Sequence, residues 1–277
     1  MKVWAFSAGG IDGSARLMTG RGAFFGGYPV SLTCILVARR EGLVLVDTGW
    51  GSPTVRDPRR FPGTFFALTA GAPQVTLQET ALGHVRALGM SGDDVTDIVL
   101  THLDIDHVGG LIDFPNARVH VSRAEHAARF ERRQPFRSWV HSSRPAFAHS
   151  PRFSPADWTD HAELGFPRSA DLFGDGSVML LEANGHTPGH AAVLVRAGEM
   201  TLVHAGDAFV HHTELDGEDS LPLGVRLYRR MLHEDKAHAR ATLGRLRALR
   251  REGSNVMLVN AHDPTLLAAL PRFPEAI

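Results

Sequence analysis

The sequence predicts an α/β fold assembled from two similarly built halves. Short apolar runs of strand length alternate with stretches whose apolar residues recur at helical spacing. Histidines and aspartates gather directly after several of these runs, where the chain leaves the carboxyl end of a strand, the usual place for ligand sites in α/β sheets. No linker separates the halves, so residues 1–277 are expected to form one domain.

In chain order, Lys2–Ser7 reads as an opening strand, with a glycine-rich loop expected through Gly27. Leu32–Ala38 and Leu43–Val46 are apolar runs joined by Arg39-Arg40-Glu41-Gly42, a hairpin pattern. The second run ends in Asp47-Thr48-Gly49, where Asp47 either orients a ligating histidine by hydrogen bond or closes the strand as an Asx turn. Residues 51–75 hold several prolines, glycines and phenylalanines, the composition of a loop packed over something. Leu77, Ala81, Leu82, Val85 and Leu88 form a helical stripe behind the capping box of Thr76 and Glu79, with Gly89 as its stop.

The Ile98-Val99-Leu100 run leads into the central motif, after which Ala117–Val121 reads as a strand. Ser122-Arg123-Ala124-Glu125, a second capping-box pattern, opens a helix to about Phe130. Residues 131–170 lack periodicity and are expected to be a lid or insertion; their histidines, His141, His149 and His161, have no partner at ligand spacing. Val178–Leu181 is a strand leading to Asn184-Gly185-His186-Thr187-Pro188-Gly189-His190. Ala191–Val195 and Met200–Val203 form a hairpin that runs out through His204-Ala205-Gly206-Asp207. Glu234–Arg250 is an amphipathic helix with an arginine-rich exterior, Val256–Val259 the last strand, and Leu266–Leu270 a closing helix.

The central motif is Thr101-His102-Leu103-Asp104-Ile105-Asp106-His107-Val108-Gly109-Gly110. Two imidazoles and two carboxylates this close repel and desolvate one another unless a cation gathers them. A divalent ion bound through neutral imidazole nitrogen and carboxylate oxygen does so. A polar loop with two solvated histidines is the alternative reading of these residues alone. Gly109-Gly110 is expected to let the backbone turn tightly beneath the ion. His186, Asp207 and His262 each read equally as loop residues, yet all share the placement at a strand exit.

Composition narrows the functional classes. With 43% hydrophobic and 21% charged residues, the 277-residue chain can bury a sizeable core. Its 29 basic and 30 acidic residues leave a formal net charge of -1, no electrostatic basis for binding nucleic acid or an anionic membrane. Cys34 is the only cysteine and lies in an apolar run, so no disulfide forms within the chain. The opening residues are interrupted too soon for a signal peptide, and no apolar run is long enough to span a bilayer. A reducing cytoplasm is the expected compartment.

Taken together, Asp47-Thr48-Gly49, the Thr101–Gly110 motif, Gly185–His190, Ala205-Gly206-Asp207 and the late His262 resemble, in order, the metallo-β-lactamase-fold hydrolase superfamily over nearly the whole chain. The resemblance implies a four-layer αβ/βα sandwich of two mixed β-sheets flanked by helices, with a dinuclear metal site along one edge. It implies that His102 and His186 bind the first metal, that Asp106, His107 and His262 bind the second, and that Asp207 bridges both. His190 and Asp47 become supports, and Asp106 also counts among the catalytic groups. The implied cofactors are two divalent metal ions, zinc in the first instance. A water or hydroxide between them is the implied nucleophile, with the metals polarising the substrate carbonyl. One departure stands out. The family usually carries His-x-His-x-Asp-His, and Asp104 replaces the second histidine; as a harder ligand it admits iron or manganese, or leaves the first position weakly filled.

Length and layout resemble the lactonase and small-ester branch, typified by acyl-homoserine-lactone lactonases that place a tyrosine shortly after the bridging aspartate. Here Asp207 is followed by Ala208-Phe209-Val210, which leaves His211, His212 or Tyr228 as the acid. The alternative is a glyoxalase II-like thioesterase, although Arg226, Arg229 and Arg230 only loosely echo that family's basic cluster. An iron-dependent dioxygenase and a metal-poor binding protein without turnover are the remaining readings. The expected partner is a small-molecule lactone, ester or thioester, with no nucleic acid and no membrane, and a homodimer is left open.

Overall fold

Val3 and Ala5 face one side of the opening strand while Trp4 and Phe6 face the other, and this alternation builds the layers of the molecule. The computed structural model describes residues 1–131, 144–217, 221–252 and 255–277. Strands β1 (Lys2–Ser14), β2 (Gly27–Arg39), β3 (Gly42–Val46), β4 (Ala72–Gln74), β5 (Val95–Val99), β6 (Arg118–Ser122) and β7 (Arg152–Ala156) form one sheet in the order β4-β1-β2-β3-β5-β6-β7. Its β4-β1-β2-β3 part is antiparallel and its β3-β5-β6-β7 part parallel. Strands β8 (Ser169–Asp171), β9 (Val178–Glu182), β10 (Ala191–Ala197), β11 (Met200–His204) and β12 (Val256–Val259) form the second, in the order β12-β11-β10-β9-β8, with only β11 and β12 parallel.

The helices are α1 (Ala15–Thr19), α2 (Ser52–Arg56), α3 (Thr64–Thr69), α4 (Ala81–Ala87), α5 (Ile105–Val108), α6 (Arg123–Phe130), α7 (Leu223–Leu232), α8 (Lys236–Arg251) and α9 (Pro264–Ala268). Val3, Val37 and Val46 of the first sheet meet Leu180, Val193 and Val195 of the second in a shared core. On the far side of the first sheet, Trp4, Leu36 and Leu45 pack with Val85 of α4. On the far side of the second, Leu181, Leu194 and Val203 pack with Leu243, Leu246 and Leu249 of α8. The result is the expected four-layer αβ/βα sandwich. Each fully buried Val or Leu stabilises by roughly 1.5–3 kcal/mol, so these faces hold the layers together.

Several local expectations change. β1 runs on to Ser14, because the pairing with β2 shifts register between Ser7 and Gly10 and then resumes: a bulge stands where a glycine-rich loop was expected. Residues 51–75 fold into α2, α3 and β4, with a kinked segment at Arg59–Gly63 in which Phe61 is extended (φ -142°, ψ 115°). The Thr76–Glu79 box closes a 3-10 turn, and α4 takes Thr80 as its own cap. Helix α7 carries no counterpart among the expected elements. Within 131–170, residues 132–143, His141 among them, lie outside the described residues; the rest holds a 3-10 turn at Arg144–Phe147, β7, a stretch with isolated bridges, and the start of β8. Among the described residues, no helix is long and apolar enough to cross a membrane.

His84 on α4 is stacked on Phe6 at 4.2 Å and meets Phe273 edge-on at 4.8 Å, while its Nδ1 donates to the Thr80 carbonyl. Burial pushes its pKa below the ordinary 6.5 despite that hydrogen bond. The unfolded chain therefore takes up a proton that the native ring resists. The ring's contribution to stability is complete above the unfolded pKa and is lost as pH falls through the native one. Urea unfolding at about pH 7.5 and about pH 5 should show His84→Leu losing less stability than wild type over that step; equal losses would contradict this assignment.

Candidate metal centre

Strands β3 and β5 lie side by side and parallel, so Asp47 and Thr101 leave the sheet together. Asp47 sits in the left-handed region at φ 53°, which an aspartate tolerates better than most residues, and its carboxyl turns toward the neighbouring loop. The Thr101 N–H donates to Asp47 Oδ1 at 2.9 Å, while Thr101 Oγ1 and His107 Nδ1 both donate to Oδ2 at 2.8 Å. Burial works against the Asp47 charge, but His107, His204 and His102 outweigh it and hold the carboxyl below its usual range. Of the two sequence readings, the structure shows the hydrogen-bonded partner.

These contacts decide which nitrogen each ring presents. A carboxylate only accepts, so His107 carries its proton on Nδ1 and aims Nε2 inward. His102 Nδ1 lies 3.0 Å from Thr101 Oγ1, whose own proton is committed to Asp47, and His262 Nδ1 donates to the Ser31 carbonyl at 3.1 Å. All three rings therefore turn Nε2 to the same space. His190 is different: Nδ1 donates to the Ala183 carbonyl at 3.0 Å and Nε2 accepts the Asp207 N–H at 3.0 Å, so both nitrogens are used and the ring supports the Asp207 turn. His204 supports the same turn, donating from Nε2 to the Thr33 carbonyl while Nδ1 accepts from Gly206.

Two candidate ligand groups adjoin here, His102 with His186 and Asp207, and Asp106 with His107 and His262; a third His/Asp cluster, His211 with His212 and Asp263, is separate from them. Asp207 faces both adjoining groups. Its Oδ2 lies 3.6 Å from His186 Nε2 and 3.9 Å from His102 Nε2; its Oδ1 lies 3.0 Å from His262 Nε2 and 3.3 Å from His107 Nε2. Asp104 Oδ2 adds to the first group, 3.2 Å from His186 Nε2 and 3.5 Å from His102 Nε2, and forms its more open rim. Ligand bonds of about 2.0–2.2 Å in a tetrahedron place donor atoms roughly 3.3 Å apart, which these spacings match. His102 Nε2, His107 Nε2 and Asp207 Oδ1 are buried and make no hydrogen bond of acceptable geometry. The donor set fits two metal ions.

Charge says the same. Burial opposes protonation of His107 and His262, yet Asp207 leads the carboxylates that hold both rings above the ordinary imidazole range. Burial likewise opposes the Asp207 charge, and His262 and His107 drive its carboxyl well below the usual range. The three carboxylates demand positive charge, supplied by protons when no metal is there and displaced by it when one binds.

Of the sequence-derived acids, His211 and His212 lie beside each other and Tyr228 sits on α7, which borders the cleft over the ligand groups. His211 hydrogen-bonds its Nδ1 to Thr213 Oγ1 and stacks on His212, whose Nδ1 meets Asp263 at 2.7 Å; Asp263 is already the cap of α9. Tyr228 belongs to α7, and its side chain lies outside what is described. Gly109 and Gly110 have ordinary negative φ: a Cβ on either would lie 2.6–2.7 Å from the Gly49 or Thr48 carbonyl oxygen, so close packing against the Asp47 turn is what requires them. Sequence reasoning missed Glu125. Ser122 caps α6 as expected, but the Glu125 carboxyl passes between the His102 and His186 loops, where burial raises its pKa to about 7. Its place in a capping-box pattern hid that role.

A cleft of about 770 Å³, part of it open solvent, lies over the two groups. Asp104, Asp106, His186, Asp207 and His262 form its floor. Its walls are largely apolar, with Leu17 and Met18 of α1, Phe66 of α3 and Leu232 of α7 among them, and neither lysine nor arginine lines it among the described residues.

The family model of the metallo-beta-lactamase superfamily matches residues 27–252. The chain is 38% identical over 249 residues to the probable metallo-hydrolase Rv2300c of Mycobacterium tuberculosis, covering 86% of this chain and 77% of that one. It is 28% identical over 261 residues to the N-acyl homoserine lactonase AttM of Azorhizobium caulinodans, covering 90% and 87%. A solved N-acyl homoserine lactone hydrolase with N-hexanoyl-L-homoserine at its catalytic metal centre shares the fold at TM-score 0.73 and 22% identity, over 100% of this chain and 98% of that one. AidC, a dizinc quorum-quenching lactonase, shares it at TM-score 0.62 and 20% identity, over 95% and 87%.

Replacing His107 with alanine removes a candidate ligand and the charge-assisted bond to buried Asp47. The expected cost is about 1.5–3 kcal/mol of stability and a fall in bound metal by elemental analysis, with far-UV circular dichroism retained. Full metal content in His107→Ala would remove His107 from the ligand set.

Proposed function

The chain belongs to the metallo-beta-lactamase superfamily, and from that premise we propose that it is a metal-dependent hydrolase that opens a lactone or cleaves a small ester bearing an apolar tail. The observation that carries this reading is the pair of buried His/Asp groups, joined by Asp207, beneath a mostly apolar cleft without a lysine or arginine in its described lining. A neutral carbonyl compound suits such a cleft. An anionic thioester, as of glutathione, would find no cationic wall among the described lining residues, which disfavours the thioesterase alternative. The relative named as an N-acyl homoserine lactonase supports a lactone substrate.

In this reading His102, Asp104 and His186 would hold one metal and Asp106, His107 and His262 the other, with Asp207 within reach of both groups. When bound, two such ions lower the pKa of water toward neutrality and polarise a carbonyl oxygen. The chain supplies the rest. Asp47, Thr101 and the Ser31 carbonyl fix the ring orientations, so little reorganisation is needed during reaction. The α1, α3 and α7 side chains bury the tail and exclude water around the carbonyl. Asp106 lines the cleft, so its carboxylate is assigned to take the proton released by the attacking water and pass it to the departing oxygen.

Asp104 favours a second reading of the metal. Two imidazoles with two carboxylates make a harder set than three imidazoles with one, which turns the first position toward iron or manganese and keeps an iron-dependent oxygenase in play. Elemental analysis should show Asp104→His moving the recovered metal toward zinc; an unchanged composition would mean that Asp104 is not a ligand. Oxygen consumption by iron-loaded protein would favour the oxygenase.

Activity is tested with N-acyl homoserine lactones of short and long tail, aryl esters and thioesters. Metal-loaded protein should hydrolyse the long-tailed lactones best and lose that activity to a chelator; no turnover of any lactone or ester would reject the reading. Met18→Trp, which fills the cleft wall, should lower kcat/KM for long tails by about tenfold while sparing short ones. An equal effect on both would dissociate the cleft from the tail.

A further inference from the structure

We propose that Glu125 is a positioning residue that holds the His102 and His186 loops in register, so that metal affinity at the first position depends on it and affinity at the second does not. The proposal rests on the metal-dependent reading above.

Glu125 is only 4% exposed and lies in the first turn of α6. Its Oε1 accepts the Leu103 N–H at 3.1 Å, and Leu103 stands between His102 and Asp104. Its Oε2 accepts from Thr187 Oγ1 at 2.6 Å and from the Gly189 N–H at 3.2 Å, on the loop that carries His186. One carboxylate thus joins a loop leaving β5 of the first sheet to the loop between β9 and β10 of the second. The backbones meet as well. A Cβ on Gly189 would lie 1.9 Å from the Glu125 nitrogen, which only glycine permits, and Ser122 Oγ donates to the Gly189 carbonyl at 2.6 Å.

Helix capping does not account for this arrangement. Ser122 already accepts the Glu125 N–H at 3.0 Å, and the Glu125 carboxyl takes its bonds from the two ligand loops. Burying a carboxyl is costly unless donors satisfy it, and both donating loops carry candidate ligands. The rings of the second group are oriented by other partners than Glu125, His107 by Asp47 and His262 by the Ser31 carbonyl. Groups that orient ligands in this way commonly change metal affinity about 10- to 100-fold when altered.

The chemistry of glutamine sharpens the test. Its amide has one oxygen and one NH₂, so in Glu125→Gln the NH₂ must face the N–H of either Leu103 or Gly189, neither of which can accept. Apoprotein is titrated with zinc(II) against a chromophoric chelator, and the step belonging to the first position is identified as the one altered by Asp104→Ala. Glu125→Gln should weaken that step about 10- to 100-fold and leave the other unchanged. Thr187→Val, which removes one donor only, should shift the same step less, and serves if Glu125→Gln does not fold. Asp97→Asn is the control: Asp97 is buried in the middle of β5, bonded to His120 and Arg118 and outside both ligand loops, and its loss should weaken the fold without moving either step.

Two unchanged steps in Glu125→Gln and Thr187→Val would overturn the proposal, as would equal weakening of both steps or the same shift in Asp97→Asn. Wild-type protein that binds no zinc, iron or manganese would instead overturn the metal-dependent reading and this inference with it. Two tight sites in wild type and in Glu125→Gln would overturn the inference alone.

Discussion

Three aspartates and four histidines meet at the edge of the two sheets, where little water reaches them. Carboxylates brought this close would drive one another apart in a poorly solvated space unless positive charge sat among them. The surrounding structure can be understood as an answer to that constraint. Asp47, Thr101 and the Ser31 carbonyl occupy the outer nitrogens of the rings, leaving the inner nitrogens to face the carboxylates. A divalent ion at each group neutralises the cluster more completely than protons do, because it also matches the spacing of the donors.

The sandwich makes this meeting possible by bringing loops from both sheets to one edge. His102, Asp104, Asp106 and His107 follow β5, while His186 precedes β10, Asp207 follows β11 and His262 follows β12. Each of these residues lies close in sequence to a strand end, so strand register helps to set where it stands. The close packing of Gly109 and Gly110 on the Asp47 turn, and of Gly189 on α6, shows how little room the loops have to move.

Much of this was legible in the sequence for a local reason. His102, Asp104, Asp106 and His107 lie within six residues, and each distant ligand follows an apolar run or sits in a glycine turn. What escaped was what depends on three-dimensional meeting. The bulge in β1 was hidden because Gly9-Gly10 is locally indistinguishable from a loop, and only its pairing with β2 makes it strand. Ser122 and Glu125 matched a capping box, yet local pattern could not show that a second loop would offer Glu125 better donors. The same holds for the cleft: Leu17, Met18 and Phe66 fall in segments read as loop, and their convergence over the ligands has no signature along the chain. His211 follows Asp207 closely in sequence, and the turn after β11 brings its ring beside His212 and Thr213, neighbours that spacing along the chain does not reveal.

Asp207 contacts both groups, and both groups draw on residues from both halves of the chain. Neither half can therefore assemble a complete site by itself, and the last ligand to be synthesised, His262, is needed by the second group. On the metal-dependent reading, tight occupancy would report that the chain through His262 has been made and both sheets have docked. Metal supply in the cell would then be a term in the yield of native protein, since an ion that binds only the finished fold draws the folding equilibrium toward it. Growth on metal-poor medium would accordingly lower the abundance of the protein as well as its activity.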